Sequence, residues 1–110
     1  MAYDEDLADR VRDIVVARTE LHEKRMFGGL AWMVRDNMAV AALSGGGVMV
    51  RVDPAEYEAL LTEPGAQEME MRGRTMRGWI RLEAALLDDH SELERWVNRG
   101  LAYAGSLPGK

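Results

Sequence analysis

The chain contains no cysteine, and the residue types that build common catalytic sites are scarce. Without cysteine there is no disulfide bond and no thiolate metal site, which fits a reducing compartment. With two histidines, far apart in the chain, no Ser–His–Asp constellation can be argued. No apolar run approaches the ~20 residues that span a bilayer, and the acidic N-terminus lacks the regions of a signal peptide. We therefore expect a cytoplasmic protein, not an enzyme, with no cofactor and no membrane contact.

An overall positive charge is also missing, because 14 basic and 19 acidic residues give a net charge of −5. A basic field over the whole domain, which would attract nucleic acid, is therefore absent. Phenylalanine occurs once against eight methionines, and methionine adapts its shape to partners better than it specifies one packing. A chain of 110 residues is expected to form one domain, covering residues 1–110.

Hydrophobic periodicity predicts the order α–β–β–β–α–β–β–α, an α/β (α+β) fold in two layers with a largely antiparallel sheet. A first helix is predicted over residues 4–18. From Lys24 the period changes to two, and alternation separates Leu30, Trp32 and Val34 from Ala31 and Met33. The residues Asp36 and Asn37 are predicted to form the hairpin turn, because both tolerate positive φ.

The return strand is predicted over residues 38–43 and the next over 48–52. A second helix is predicted to start at 53–56, where an Asp cap precedes Pro at the first helical position. Two more strands follow, around Met69 and over 79–82, and residues 83–90 stay ambiguous between helical turn and loop. The last helix is predicted to open with a capping box at 91–94.

Two glycine clusters, Gly28–Gly29 and Gly45–Gly47, raise the question of a phosphate-binding loop. Neither has the spacing of a dinucleotide fingerprint or a P-loop, and strand-like residues follow both. We interpret the first pair as a bend, bulge or close backbone contact that divides the first strand.

The stretch 72–81 carries four arginines and no acidic residue inside an acidic chain. It is the candidate contact region for a partner or a nucleic acid, through Arg72, Arg74, Arg77, Trp79 and Arg81. The alternative, which we favour, is a solvated hairpin whose arginines pair with Glu68, Glu70 and Glu83. The segment 88–90 (DDH) could ligate a metal, but a solvated turn is the favoured interpretation.

A second candidate is a surface, because strands 30–34 and 38–43 are apolar on both faces. Helices can cover one face, and the other then packs under loops or meets a partner, including an identical subunit. The candidate interface residues are Ala31, Met33, Ala39 and Ala41.

Several stretches, in conserved order and spacing along the chain, resemble the TfoX (Sxy) N-terminal domain family: KRMFGGLAWMV, NMAV, GGGVMVRVDPAEYEALL, MRGRTMRGWIRL and LERWVNRGLAYAGSLP. The resemblance implies a secretion-chaperone-like α-β(3)-α-β(2)-α fold. It also implies a non-enzymatic regulatory module in transcription that binds a protein such as a CRP-like transcription factor or RNA polymerase. Full-length competence regulators of this family carry a C-terminal domain, which we do not expect here because the chain ends at Lys110. The alternatives are nucleic-acid binding through 72–81 and a small-molecule or metal-binding role.

Overall fold

The computed structural model describes residues 3–16, 21–26, 28–44, 46–71 and 73–108. Within these ranges the chain forms four helices and six strands, in the order α1 (Glu5–Val15), β1 (Leu21–Met26), β2 (Gly29–Val34), β3 (Asn37–Ala42), β4 (Val48–Arg51), α2 (Tyr57–Leu60), β5 (Ala66–Met71), β6 (Arg74–Leu82), α3 (Ala84–Leu87) and α4 (His90–Gly105). None of the helices in these ranges has the length and apolarity that a membrane crossing requires.

The six strands form one sheet in the order β1-β2-β3-β4-β6-β5, and every neighbouring pair is antiparallel. This confirms the predicted two-layer fold with an antiparallel sheet. The sixth strand arises because the glycine pair divides the first strand into β1 and β2. The ambiguous segment 83–90 contains the short helix α3.

The long helix α4 packs across the middle of the sheet, against β2, β3 and β4. Its buried face consists of Leu93, Trp96, Val97, Gly100, Leu101 and Ala104. These side chains join residues of α1, α2 and α3, and one face of the strands, in a single main core. We call this side of the sheet the helix-covered face. All the helices contribute their buried residues to it.

A close approach at Gly100 determines how α4 sits on the sheet. A Cβ atom at this position would lie 2.7 Å from the carbonyl oxygen of Ala39 and 2.7 Å from Val50 Cγ1. Real Cβ atoms do not approach backbone this closely, so glycine is required. The helix can therefore lie directly on the backbone of β3.

The first glycine pair has two different roles. Gly28 has φ of 73° in the turn between β1 and β2, where the paired residues Met26 and Gly29 close the hairpin. A Cβ on Gly29 would collide with the carbonyl oxygen of Ala42. One glycine supplies positive φ and the other allows strand backbones to meet, which confirms the interpretation as turn and close contact. The remaining turn residue, Phe27, lies outside the described residues.

The turn between β2 and β3 is displaced by one residue from the prediction. Arg35 and Asp36 have φ of 49° and 68°, so they are the central residues of the turn, and Asn37 already belongs to β3. The buried Asn37 side chain donates from Nδ2 to the carbonyl oxygen of Pro108 at 2.9 Å. Arg35 Nη2 donates to the carbonyl oxygens of Gly105 at 2.6 Å and Leu107 at 2.9 Å. The chain therefore uses Asn37 to hold the end of α4 and not to form the turn.

Two helix starts also differ from the prediction. Asp89 caps α4, since its Oδ1 accepts from the backbone N–H of Ser91 at 2.9 Å, so the predicted capping box at 91–94 is wrong. Asp53 Oδ1 accepts from the N–H of Ala55 at 2.9 Å, but regular helix begins only at Tyr57. In both places an Asp carboxylate accepts a hydrogen bond from the backbone N–H two residues later, which satisfies a donor at the start of the helical segment.

Hydrogen bonds to the side chain of Glu23 connect the edge strand β1 to α1 and to β2. Arg12 Nε donates to Glu23 Oε1 at 2.7 Å, and the indole Nε1 of Trp32 donates to the same oxygen at 3.1 Å. The hydrogen bond from Arg12 is the main reason that the pKa of Glu23 lies below its ordinary value, against the opposing effect of burial. A charged Glu23 therefore stabilises the contact between helix and sheet edge.

The contact at Gly100 predicts opposite effects of one substitution at two places in α4. Gly100→Ala should lower the free energy of unfolding by about 1–3 kcal/mol because the added methyl group overpacks the interface with β3. Gly105→Ala is the matched control, since its Cβ would meet only Val34 Cγ1 at 3.9 Å. It should be neutral or raise stability by up to about 1 kcal/mol through helix propensity. Urea denaturation measures both, and a Gly100→Ala variant as stable as Gly105→Ala would contradict the packing.

The Arg12–Glu23 pair predicts a pH-dependent effect of Glu23→Gln, which keeps an acceptor for Trp32 and removes the charge. Because the folded-state pKa of Glu23 is lowered, its stabilisation is present above the unfolded pKa and is lost as pH falls through the folded value. At neutral pH the variant should be less stable by a few tenths to about 1 kcal/mol. The two proteins should become equally stable in acid. A difference that stays constant down to pH ~3, below the ordinary Glu pKa, would show that charge is irrelevant.

Candidate functional site

The outer face of the sheet, opposite the helices, carries a separate apolar cluster that we call the methionine face. It consists of six of the eight methionines and four other apolar side chains: Met26, Met33, Met38, Met49, Met69, Met76, Ala31, Ala41, Leu43 and Trp79. Among the described residues, no helical side chain belongs to this cluster. The strands, together with Leu43 directly after β3, build it.

Burial within the methionine face is graded. Its centre is closed, with Ala31 at 0%, Ala41 at 4% and Met49 at 1% exposure. Met33, Met38, Met76 and the other surrounding members are only partly buried. Long, flexible methionine side chains thus cover the small central residues without a layer of helices above them. The result is a filled surface with an adaptable upper layer.

A bulge in β3 changes the composition of this face. Trp32 pairs with Val40 and Met33 pairs with Met38, so Ala39 is an extra residue opposite β2. Ala39 and Val40 consequently both belong to the main core, and Met38 belongs to the methionine face. Ala39 does not lie on the outer face, contrary to the prediction from strict alternation. The other three candidate interface residues, Ala31, Met33 and Ala41, do lie there.

The candidate arginines are divided between the two sides of the sheet. Arg81 pairs with Met49, and Trp79 belongs to the methionine face. Arg77 points to the helix-covered side, where Nη2 lies 3.3 Å from Glu58 Oε2 and the guanidinium carbon lies 5.3 Å from the ring centroid of Tyr57.

This division follows from an irregularity in β6, where the pairing with β5 shifts between Glu68 and Glu70. Gly78, with φ of 92°, lies in the displaced stretch and reverses the alternation. Arg74 lies two residues before Met76, on an exposed part of β6 near the hairpin end. Arg72 lies outside the described residues.

The expected pairing of these arginines with Glu68, Glu70 and Glu83 is not found among the described side chains. Arg77 instead contacts Glu58, and Glu83 Oε1 accepts a hydrogen bond from Gln67 Nε2 at 2.7 Å. Beside them, Arg81, Glu83 and Gly47 contribute to the lining of an open cleft of about 440 Å³.

Sequence reasoning missed Arg51, the last residue of β4, whose guanidinium contacts both Trp79 of the methionine face and Tyr103 of α4. It pairs across the strands with Trp79, and its guanidinium carbon lies 5.6 Å from that ring centroid and 5.8 Å from the centroid of Tyr103. This geometry is typical of cation–π contacts, which keep the charge while fixing the side chain. The available signal was its spacing of two from Met49, which places both residues on one face of β4.

The predicted alternative metal segment, 88–90, is used for structure. Asp89 is the cap of α4, and His90 Nδ1 lies 3.5 Å from Arg10 Nη2. Within the described ranges, no group of three or more histidine and carboxylate side chains is placed to hold a metal ion.

Groups with shifted pKa values belong to contacts between elements and do not converge in one cleft. A hydrogen bond from Arg95 lowers the pKa of Glu63, at an Nη2–Oε1 distance of 2.6 Å. Burial raises the pKa of the Tyr57 hydroxyl. The ion pairs join the segment that follows α2 to α4, and α1 to β1, so they connect the helix layer with its surroundings.

Fold and site together define a two-layer α+β domain with one helix-covered face and one methionine-rich outer face. The chain belongs to the TfoX N-terminal domain family, whose model matches residues 13–104. This confirms the resemblance drawn from the sequence. A search of curated proteins found no match.

The graded burial predicts an order of methionine oxidation by dilute hydrogen peroxide. Met33, Met38 and Met76 should be converted to sulfoxide well before Met49, which is 1% exposed, because oxidation follows access to sulfur. Peptide mapping by mass spectrometry after short exposures measures the order, with unfolded protein as the control for intrinsic reactivity. Equal protection of Met33, Met38 and Met49 would show that another layer covers the face in solution.

Proposed function

We propose that this chain is a non-enzymatic regulatory module that acts in transcription by binding a protein partner through the methionine face. The observation that carries the proposal is a cluster of partly exposed methionines that no described helix covers. Family membership supports the regulatory part, because the family is that of the TfoX N-terminal domain. A CRP-like transcription factor or RNA polymerase is the proposed partner.

Methionine is suited to this role for a physical reason. Its unbranched thioether side chain has several accessible conformations and contacts aromatic and aliphatic groups of different shapes. Surfaces that bind partners by adjusting their packing use this property. Met33 and Met38, which are adjacent across β2 and β3, supply such a pair at the partly exposed level of the face.

The separation of the arginines favours a protein partner over nucleic acid. A phosphate backbone is bound by several cations that lie on one surface. Arg77 contacts Glu58 on the helix-covered side, whereas Arg81 lies beside Met49 on the outer face. The candidate stretch 72–81 therefore does not form one basic strip, and the cations on the outer face surround an apolar centre that suits a protein better than a phosphate backbone.

The proposal is tested by affinity capture from the native cell with a length-matched variant of the face. Met33→Gln combined with Met38→Gln removes apolar contact and should abolish retention of the partner, while the protein stays folded because both sites are partly exposed. Mass spectrometry should identify the retained protein as a transcription factor or an RNA polymerase subunit. Circular dichroism checks the fold.

The matched control is Val16→Gln, an 80% exposed apolar residue next to α1. This variant should retain the partner as the unmodified chain does. Equal retention by the double methionine variant would show that binding uses another surface. Specific retention of proteins unrelated to transcription would remove the regulatory part of the proposal.

A further inference from the structure

The two faces of the sheet carry different charges, and the charge of the outer face limits the kind of partner that can bind the methionine face. Pairing and alternation place three cationic side chains on the outer side of the described strands: Lys24, Arg74 and Arg81. The guanidinium of Arg51, at the end of β4, lies between Trp79 of this face and Tyr103 of α4. Lys24 pairs with Ala31, and Arg81 pairs with Met49, so both border the cluster. The described strand positions of this face carry no acidic residue.

Acidic residues lie elsewhere in the molecule. Glu23 and Glu68 belong to strands but pair with Trp32 and Ile80, which are buried in the main core, so both project from the helix-covered side. The first turn of α1 and its cap add Asp4, Glu5 and Asp6. Two acids adjoin the outer face at its ends: Asp36, which is 3.5 Å from His22 Nε2, and Glu83, which binds Gln67. The strand positions of the outer face therefore carry positive and no negative charge, although the chain has a net charge of −5.

The border cations do not form acidic ion pairs within the described part of the chain. Arg51 contacts the rings of Trp79 and Tyr103, and no described carboxylate bonds to Lys24 or Arg81. By contrast, Arg12, Arg77 and Arg95 on the other side each bind a glutamate. A partner can thus pair with the border cations without first breaking an internal ion pair.

A second copy of this chain fits the face poorly. In a two-fold dimer through the methionine face, the same patch meets itself, and Lys24, Arg74 and Arg81 of each copy would face those of the other. Like charges across an interface oppose association. The apolar centre of the methionine face instead fits apolar groups of a partner, and the cations at its border fit negatively charged groups.

We infer that the partner presents an acidic amphipathic segment, with apolar side chains against the methionine face and carboxylates toward Lys24 and Arg81. This inference rests on the proposed function and adds the chemical class of the partner. Nucleic acid would satisfy the cations but would leave the apolar methionine side chains against a charged backbone. An amphipathic protein segment satisfies both parts of the surface.

A direct test uses two synthetic helices of about 18 residues, long enough to form helix. Both have leucine along one face, and the remaining positions carry glutamate in one peptide and lysine in the other. The protein is labelled with ¹³C at the methionine methyl groups, and NMR titration follows the signals. The glutamate peptide should shift the methyl signals of Met33, Met38 and Met76, and added salt should weaken its binding.

Charge variants identify the contact. Lys24→Gln with Arg81→Gln should weaken binding of the glutamate peptide about 2- to 30-fold, the range for two exposed ion pairs. The matched control, Arg10→Gln with Arg25→Gln, removes the same charge from the other side, since Arg25 pairs with the core residue Leu30. It should leave the affinity nearly unchanged.

Any of the following outcomes would overturn the inference. Equal binding of the lysine peptide, or no methionine shift with either peptide, rejects an acidic segment. Stronger methyl shifts with duplex DNA indicate nucleic acid, and a dimeric mass with shielded methyl groups indicates a second copy. If both peptides fail while affinity capture still depends on Met33 and Met38, the proposed function stands and only the acidic class is rejected.

Discussion

The contact between Gly100 and the backbone of β3 is the constraint on which the two faces depend. Because a Cβ at this position would lie 2.7 Å from the carbonyl oxygen of Ala39, glycine lets α4 lie directly on the sheet. The helix then buries Trp96 and Leu101 completely against β2, β3 and β4. The other helices pack around it on the same side, which leaves the opposite side to the strands' own side chains.

The bulge at Ala39 links this packing to the site. The bulge adds one residue to β3 where the strand lies beneath α4. Two successive side chains, Ala39 and Val40, therefore both face the helix layer. A consequence is that Met38 changes face and lies beside Met33. The same bulge therefore places two side chains of β3 against α4 and places Met38 beside Met33 on the outer face.

Much of the fold was predictable because alternation and turn chemistry are local signals. Apolar side chains that recur at every second residue, such as Trp32 in β2 and Val50 in β4, mark the strands and their two faces. The order of helices and strands and the antiparallel sheet follow from these patterns and the short turns between them. Ala39 was misplaced because both faces of β3 are apolar, so the pattern contains no sign of a bulge. The turn at Arg35–Asp36 and the cap at Asp89 were missed by one or two residues, since neighbouring Asp, Asn and Ser compete for the same roles.

The candidate site was harder to predict because its members are brought together by pairing between distant strands. Arg77 and Arg81 are close in sequence, but positive φ at Gly78 sends them to opposite sides, whereas Lys24 and Arg81 share a side across the whole sheet. Met49 and Met69 are buried, whereas Met33 and Met38 are partly exposed and keep room to change conformation. Packing and adaptability are thus assigned to different methionines of one cluster, and this division is what the proposed binding role requires of the face.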